Sequence, residues 1–239
     1  MPWKVVFYQT ERGECPVAKF LDALSEKARA KCIGYMLLLE EQGNRLPRNY
    51  AGKVQEDLWE LRPEFGGIEY RYFYFTYVDY QIVIVHAISK KSQKLKPGDI
   101  QTALKGWQIF VGEKQNTQQK RKAKIKMQPQ VTGQSLQQYV AEQTENNPAF
   151  TEELARAQEA IRLGVALTEM RMTRGMTQRE VSERTGIKQP MLARIERGQM
   201  PTIFTLRRII QALDACVILL PGKSIYLEAT SMQMTELAI

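Results

Sequence analysis

The chain has 239 residues, 44% of them hydrophobic and 25% charged, and a formal net charge of +8. That is room for one large domain or two small ones, with no apolar run near the ~20 residues a membrane-spanning helix needs, so no membrane partner is expected. Three scattered cysteines, Cys15, Cys32 and Cys216, with no CxxC spacing suggest neither a disulfide framework nor a zinc site, and the opening Met1-Pro2-Trp3-Lys4 lacks the zones of a secretory signal, which points to the cytoplasm.

Trp3 to Tyr8 is a β-rich run. Val17 to Leu24 and Glu26 to Glu41 follow with apolar residues at helical spacing, and Gly43 supplies the stop. From Leu58 the pattern changes to three short β-rich segments, Leu58 to Arg62, Ile68 to Tyr77 and Gln81 to Ser89. The tight connection Val78-Asp79-Tyr80 predicts that the last two pair as an antiparallel hairpin. Pro97 opens a short helix to about Lys105, at a position where its missing N–H is tolerated. The order β-α-α-β-β-β-α predicts a small α+β domain over residues 1–112, with helices packed on a mostly antiparallel sheet.

This stretch has no metal-ligand cluster, the only histidine of the chain, and no glycine-rich phosphate loop, so neither a metal nor another cofactor is expected. Instead, cations alternate with aromatics: Lys53, Arg62, Arg71, Lys90, Lys91 and Lys94 stand beside Trp59, Tyr70, Tyr72 and Tyr74. Guanidinium and ammonium groups hold a phosphodiester and stabilise the added charge of its pentavalent transition state, while rings stack exposed bases. The competing reading for Arg62 and Arg71 is ion pairing with Glu60, Glu64 or Glu69 on a solvated face. His86 shares strand parity with Ile82, Ile84 and Ile88, which favours a core histidine over a catalytic one. Trp59 is expected in the core, and the other strand aromatics are first of all packing residues.

Leu58-Trp59-Glu60-Leu61-Arg62, Tyr70-Arg71, and His86 followed by Lys90-Lys91-Ser92-Gln93-Lys94 resemble, over about residues 3–105, the HigB-type toxins of the RelE superfamily, which are related to phage proteins. The resemblance implies a RelE-like fold and a metal-independent endoribonuclease that cuts mRNA, usually on the ribosome, with the substrate's own 2′-OH attacking the adjacent phosphate. It matches Lys53, Arg62, Arg71, Lys90 and Lys91 to the basic catalytic set, with Lys94 and Tyr72 as RNA-binding residues. Arg62 and Arg71 would hold the scissile phosphate. Lys53 or Lys91 would assist proton transfer, although lysine at its ordinary pKa is a poor base near neutrality, so electrostatic stabilisation ranks first.

Charge concentrates next. Residues 1–105 carry 16 Lys/Arg against 13 Asp/Glu, residues 106–126 six against one, and residues 127–239 12 against 12. The amide- and lysine-rich stretch from Glu113 to Lys126 lacks core-forming residues, so 113–135 reads as a flexible basic linker. A solvated tether is favoured over a nucleic-acid-binding run, with Lys120 to Lys126 open to proteases.

Residues 136–239 form the last region. Its segment Glu142 to Glu169 is acidic, which suits a basic protein partner, and Arg171 to Arg208 is basic, which suits phosphate. Ala155 to Thr173 reads as a helix with Ile161, Leu163, Leu167 and Met170 buried. Thr177 and Glu180 make a capping box for a helix to about Arg184. Gly186 makes the turn, a second helix runs from Lys188 or Gln189 to about Arg197, and Gly198 closes it. Thr202 begins a further helix ending near Asp214, with Leu206, Ile209, Ile210 and Leu213 inward. A short β-hairpin around Pro221-Gly222-Lys223-Ser224 completes an all-α module with a C-terminal hairpin.

Thr177-Gln178, Gly186 and Arg194-Ile195-Glu196-Arg197-Gly198 resemble the Cro-type repressor helix-turn-helix over about residues 163–213. The resemblance puts the helix Gln189 to Arg197 in the DNA major groove, where Gln189 pairs with adenine and Arg194 with guanine. Thr177, Gln178 and Lys188 would contact phosphates. Pro190, early in the helix, removes an N–H, and Ala193 stands where the family often has Ser. Glu196 is expected to pair with Arg197. Such modules bind palindromes as dimers, so a homodimer through this half is expected.

HigA-type antitoxins combine such a module with toxin inhibition. The chain therefore resembles toxin, linker and antitoxin joined in one polypeptide: an autoinhibited ribonuclease whose halves bind each other and whose second half represses at an operator. The alternative is a transcriptional regulator carrying a catalytically dead toxin-like domain.

Overall fold

A computed structural model describes residues 3–10, 12–55, 57–77, 80–90, 97–121, 133–145, 147–218 and 226–229, with backbone only at 44, 111–121, 216–218 and 226–229. The chain forms two compact units, Met1–Gln158 and Glu159–Ile239.

The first unit runs β1 (Lys4–Tyr8), α1 (Pro16–Asp22), α2 (Glu26–Gln42), a 3-10 turn (Gly43–Arg45), β2 (Ala51–Gln55), β3 (Leu58–Leu61), β4 (Glu64–Phe65), β5 (Ile68–Tyr77), β6 (Gln81–Lys90), α3 (Pro97–Arg121), β7 (Gly133–Ser135), α4 (Leu136–Glu145) and the start of α5 (Pro148–Thr173). The strands order as β2-β3-β5-β6-β1-β7, with β4 pairing on β5. The expected hairpin is present, Tyr77 opposite Gln81. The sheet is antiparallel except that β1 runs parallel to β6, Val5 opposite Ile82. β4 folds onto β5 through Gly66-Gly67, whose φ values of 60° and 76° suit a two-residue turn that side chains with a Cβ resist.

Both sheet faces are covered, which is why β5 is aromatic along nearly its whole length. On one face Tyr8, Leu58, Phe73, Phe75, Val83 and Val85 meet Ala103 and Phe110 of α3, and Trp107 stacks on Phe75 at 4.2 Å. On the other, Phe20 of α1 meets Tyr72 and Tyr139 of α4 meets Phe7. Trp59, expected in the core, is only half-buried. The helix expected to stop near Lys105 continues to Arg121, because Ile100, Ala103, Leu104, Trp107 and Phe110 extend one apolar stripe over the sheet. Residues 113–121 of the expected linker are thus helical.

The expected boundary near residue 136 is also displaced. β7 adds to the β1 edge, Gly133 opposite Tyr8 and Ser135 opposite Val6, and Leu136, Tyr139, Phe150 and Leu154 are buried within the first unit. Tyr139 Oη donates to Asp22 Oδ1 at 2.6 Å, Gln137 Nε2 to Glu40 Oε2 at 2.7 Å, Asn147 Nδ2 to Glu26 Oε1 at 2.8 Å, and Arg29 to Gln143.

The second unit contains the rest of α5, α6 (Gln178–Thr185), α7 (Gln189–Glu196), α8 (Ile203–Ala212), β8 (Ala215–Ile218) and β9 (Tyr226–Ala229). Leu163, Leu167, Met170, Val181, Ile187, Leu192, Ile195, Leu206, Ile209 and Leu213 share one core, as the helical spacing predicts. β8 and β9 pair antiparallel, Cys216 opposite Glu228. The Thr177 hydroxyl accepts from the Glu180 N–H, and Glu180 accepts from the Thr177 N–H at 2.6 Å. Thr177→Ala is expected to destabilise this unit by about 1 kcal/mol, read as a lower midpoint in urea unfolding; an unchanged midpoint would mean the cap contributes nothing.

Candidate nucleic-acid sites

On the first unit, cross-strand register aligns Gly52, Glu60, Phe73 and His86 in one row on the α3 side of the sheet. Glu60 is 2% exposed, a position that a carboxylate tolerates only with strong donors. They are guanidinium groups. Arg62, just past β3, is fixed by its own N–H donating to Tyr50 O at 2.8 Å, and its side chain turns back over Gly52. Arg62 Nε lies 2.8 Å and Nη2 2.6 Å from Glu60 Oε1. Arg71, on β5, donates Nη1 to the same oxygen at 2.6 Å and Nη2 to Glu69 Oε2 at 2.7 Å. Burial opposes the charge of Arg71, but Glu69 and Glu60 outweigh it and raise its pKa. Lys90 lies opposite Glu69 across β5 and β6, is buried, and its Nζ makes no hydrogen bond among the described residues.

The structure therefore brings Arg62, Arg71 and Lys90 to one face of one sheet. It places Lys53 elsewhere: on edge strand β2, exposed, opposite Trp59 and so facing away from Gly52 and Glu60. Lys91 and Lys94 lie outside the described residues. Tyr72 is fully buried beside Cys32, and burial drives its pKa up; it has no exposed surface to offer a base. His86 departs from the expected parity. A bulge at Val85 puts Phe73 opposite His86 but Tyr74 opposite Ile84, turning His86 away from Ile84 and onto the α3 side, half-buried against Phe73 at 6.0 Å. Burial lowers its pKa while Asp99 pulls it back up. Glu60, counted from sequence only as a counterion, is the hub of the cluster.

On the second unit, α6 and α7 meet across Gly186 as a helix-turn-helix. Lys188, Gln189, Pro190 and Arg194 are exposed around α7, an arrangement that fits a groove-facing helix. Thr177 and Gln178 already serve the fold: the first caps α6, and Gln178 Nε2 donates to Glu196 Oε2 at 2.8 Å. Glu196, 1% exposed, receives Arg171, on α5 two helices back in sequence, through Nε at 2.5 Å and Nη2 at 2.9 Å. Among the described residues no group of three or more His, Cys, Asp or Glu is placed to hold a metal ion, and no helix is long and apolar enough to cross a membrane.

The chain thus joins a sheet-and-helix domain bearing an arginine–glutamate cluster to a helix-turn-helix module. Residues 19–108 match the family model of phage derived protein Gp49-like (DUF891), and residues 167–216 match a helix-turn-helix model. Two curated relatives, both named antitoxin HigA1, come from Mycobacterium tuberculosis strains CDC 1551 / Oshkosh and ATCC 25618 / H37Rv. Each is 38% identical over 84 residues, which is 35% of this chain and 56% of the relative. The chain spans about half the length of the curated relatives it matches.

Proposed function

We propose that the chain is a toxin and its antitoxin in one polypeptide: a RelE-like, metal-independent RNA-cleaving domain of HigB type, restrained by a HigA-type half that also binds operator DNA and represses. The observation that carries this reading is the docking of residues 133–158, from the end of the expected linker into the half proposed as antitoxin, in the fold of the unit that holds the Gp49-like match. A strand added to a sheet edge and a helix laid beside it are a common way for one protein to hold another. Tethering makes the contact intramolecular, with an effective concentration of about mM, so it resists escape until the chain is cut between α3 and β7.

In this reading Arg62, with 32% of its side chain exposed, meets the scissile phosphate. Arg71 and Lys90 supply buried positive charge behind it, and Lys53, Lys91 and Lys94 contact RNA further out. The docked segment approaches the β1 edge and the face opposite Glu60 and Arg62, so restraint works by keeping a bulky target such as mRNA on the ribosome away, not by filling the cluster. In the second unit Lys188, Gln189, Pro190 and Arg194 face DNA, with Thr177 and Gln178 setting the N-terminus of α6 against the phosphates. Ile203 and Phe204, 72% and 75% exposed, offer apolar surface for a homodimer. The site of action is the cytoplasm.

Growth tests the proposal. Inducing residues 1–121 alone is expected to arrest cells, with relief by residues 133–239 supplied separately and no arrest by the intact chain. A soluble, folded 1–121 fragment that leaves growth unchanged would favour the second reading, a DNA-binding regulator with an inactive toxin-like domain. That reading draws on one observation, the engagement of Arg71 by two carboxylates.

A further inference from the structure

A single buried oxygen, Glu60 Oε1, accepts from Nε of Arg62 and from Nη1 of Arg71, with Arg62 Nη2 in ion-pair contact at 2.6 Å, while its sister Oε2 is buried with no hydrogen-bond partner among the described residues. An apolar residue of similar volume in place of a buried ionic hub is often neutral or stabilising, so stability alone gives no reason for a carboxylate here. A second, independent feature converges on the same guanidinium. A Cβ at residue 52 would lie 2.7 Å from Arg62 Cζ, so only glycine leaves Arg62 room to lie over β2 against Glu60.

We propose that Glu60 is a positioning residue for RNA cleavage, with Gly52 as its cradle: together they hold the Arg62 guanidinium in one orientation before substrate arrives. The inference rests on the ribonuclease reading above. Arg62 Nε donates to Glu60, Nη2 lies 2.6 Å from the same carboxylate oxygen, and Nη1 donates to Arg48 O at 3.3 Å. The group that faces solvent is therefore a fixed plane instead of a mobile long side chain. Glu60 and Glu69 balance Arg62 and Arg71 in formal charge, which offsets the mutual repulsion of two guanidinium groups at one oxygen. An incoming phosphate meets a preset donor, and the ordering cost falls on folding instead of on catalysis.

The experiment uses the full chain with a protease site inserted in residues 122–132, cut and then separated from residues 133–239 before assay. Three readouts are taken: kcat and KM on an RNA oligonucleotide, binding of its 2′-O-methyl analogue, and solvent exchange of the Arg62 Nε–H by NMR. Glu60→Gln is expected to lower kcat about 100-fold, the scale set by a displacement of about 1 Å, with KM and analogue binding within about 3-fold and faster Nε–H exchange. Gly52→Ala, which leaves the carboxylate in place, is expected to give the same kcat loss, and the double variant no more than the worse single one, because both act through Arg62. A folded Glu60→Gln chain with wild-type kcat, or single losses that multiply in the double variant, overturns the positioning role. A folded wild-type 1–121 fragment, cut and separated from residues 133–239, that cleaves no RNA sinks the ribonuclease reading and takes this inference with it.

Discussion

Arg62→Ala, in a chain released from its C-terminal half, is expected to slow RNA cleavage by about 100- to 1,000-fold, the usual loss on removing one donor to a charged transition state. Of the cations brought to the α3 side of the sheet, Arg62 is the one with substantial exposed side chain, 32% against 8% for Arg71. It is the group an incoming phosphodiester can reach without unpacking the sheet. Removing it leaves Glu60 bound to Arg71 alone, so the fold should persist and the loss should appear in kcat. The comparison is single-turnover cleavage by wild type and variant after matching their thermal midpoints. Equal rates would remove Arg62 from the reaction and shift attention to Lys53 or the segment after β6.

The second large effect is on stability. Glu196→Ala should destabilise the helix-turn-helix unit by about 3–5 kcal/mol, the scale for breaking a buried ion pair from one side. Glu196 is almost fully enclosed and accepts from Arg171 through Nε and Nη2 and from Gln178, tying the end of α7 to α5 and the start of α6. Its loss removes the counter-charge of Arg171, whose side chain is only 13% exposed and keeps just the Met176 carbonyl as acceptor among the described residues. Total stabilities of domains are typically about 5–15 kcal/mol, so the variant should lose DNA binding by unfolding, although Glu196 touches no base. Urea unfolding followed by circular dichroism decides it: a loss under about 1 kcal/mol would mean that Arg171 finds water or another acceptor.

The helix-turn-helix was legible because its determinants are local. The capping box, the turn at Gly186 and the apolar spacing of Val181, Ile187, Leu192 and Ile195 all lie within one short stretch. The hairpin of β5 and β6 was legible for the same reason, since two β-rich runs flank a tight turn. β2, β4 and β7 were not. Ala51–Gln55, Glu64–Phe65 and Gly133–Ser135 carry no alternating pattern, and they are strands only because a partner edge is there to pair with. The parallel pairing of β1 with β6 is likewise a long-range choice.

At the site, Arg62 and Arg71 could be picked out as cations among aromatics, but the glutamate that gathers them reads from sequence as a surface counterion. His86 was placed on the wrong face because period-2 reasoning has no warning of a bulge, and Val85 carries no residue signal for one. The docking of residues 133–158 was hidden by the linker-like composition before it: a basic, amide-rich run argues for a tether but does not say where ordered packing resumes.

The central claim is that the half resembling an antitoxin restrains a ribonuclease in the same chain. The most direct measurement is the rate of RNA cleavage by the intact protein against that of residues 1–121 separated from residues 133–239 after cutting the segment between. The account predicts at least a 100-fold faster rate for the freed fragment, falling back when the other fragment is returned. Equal rates before and after separation, or no cleavage by a folded 1–121 fragment, would contradict it.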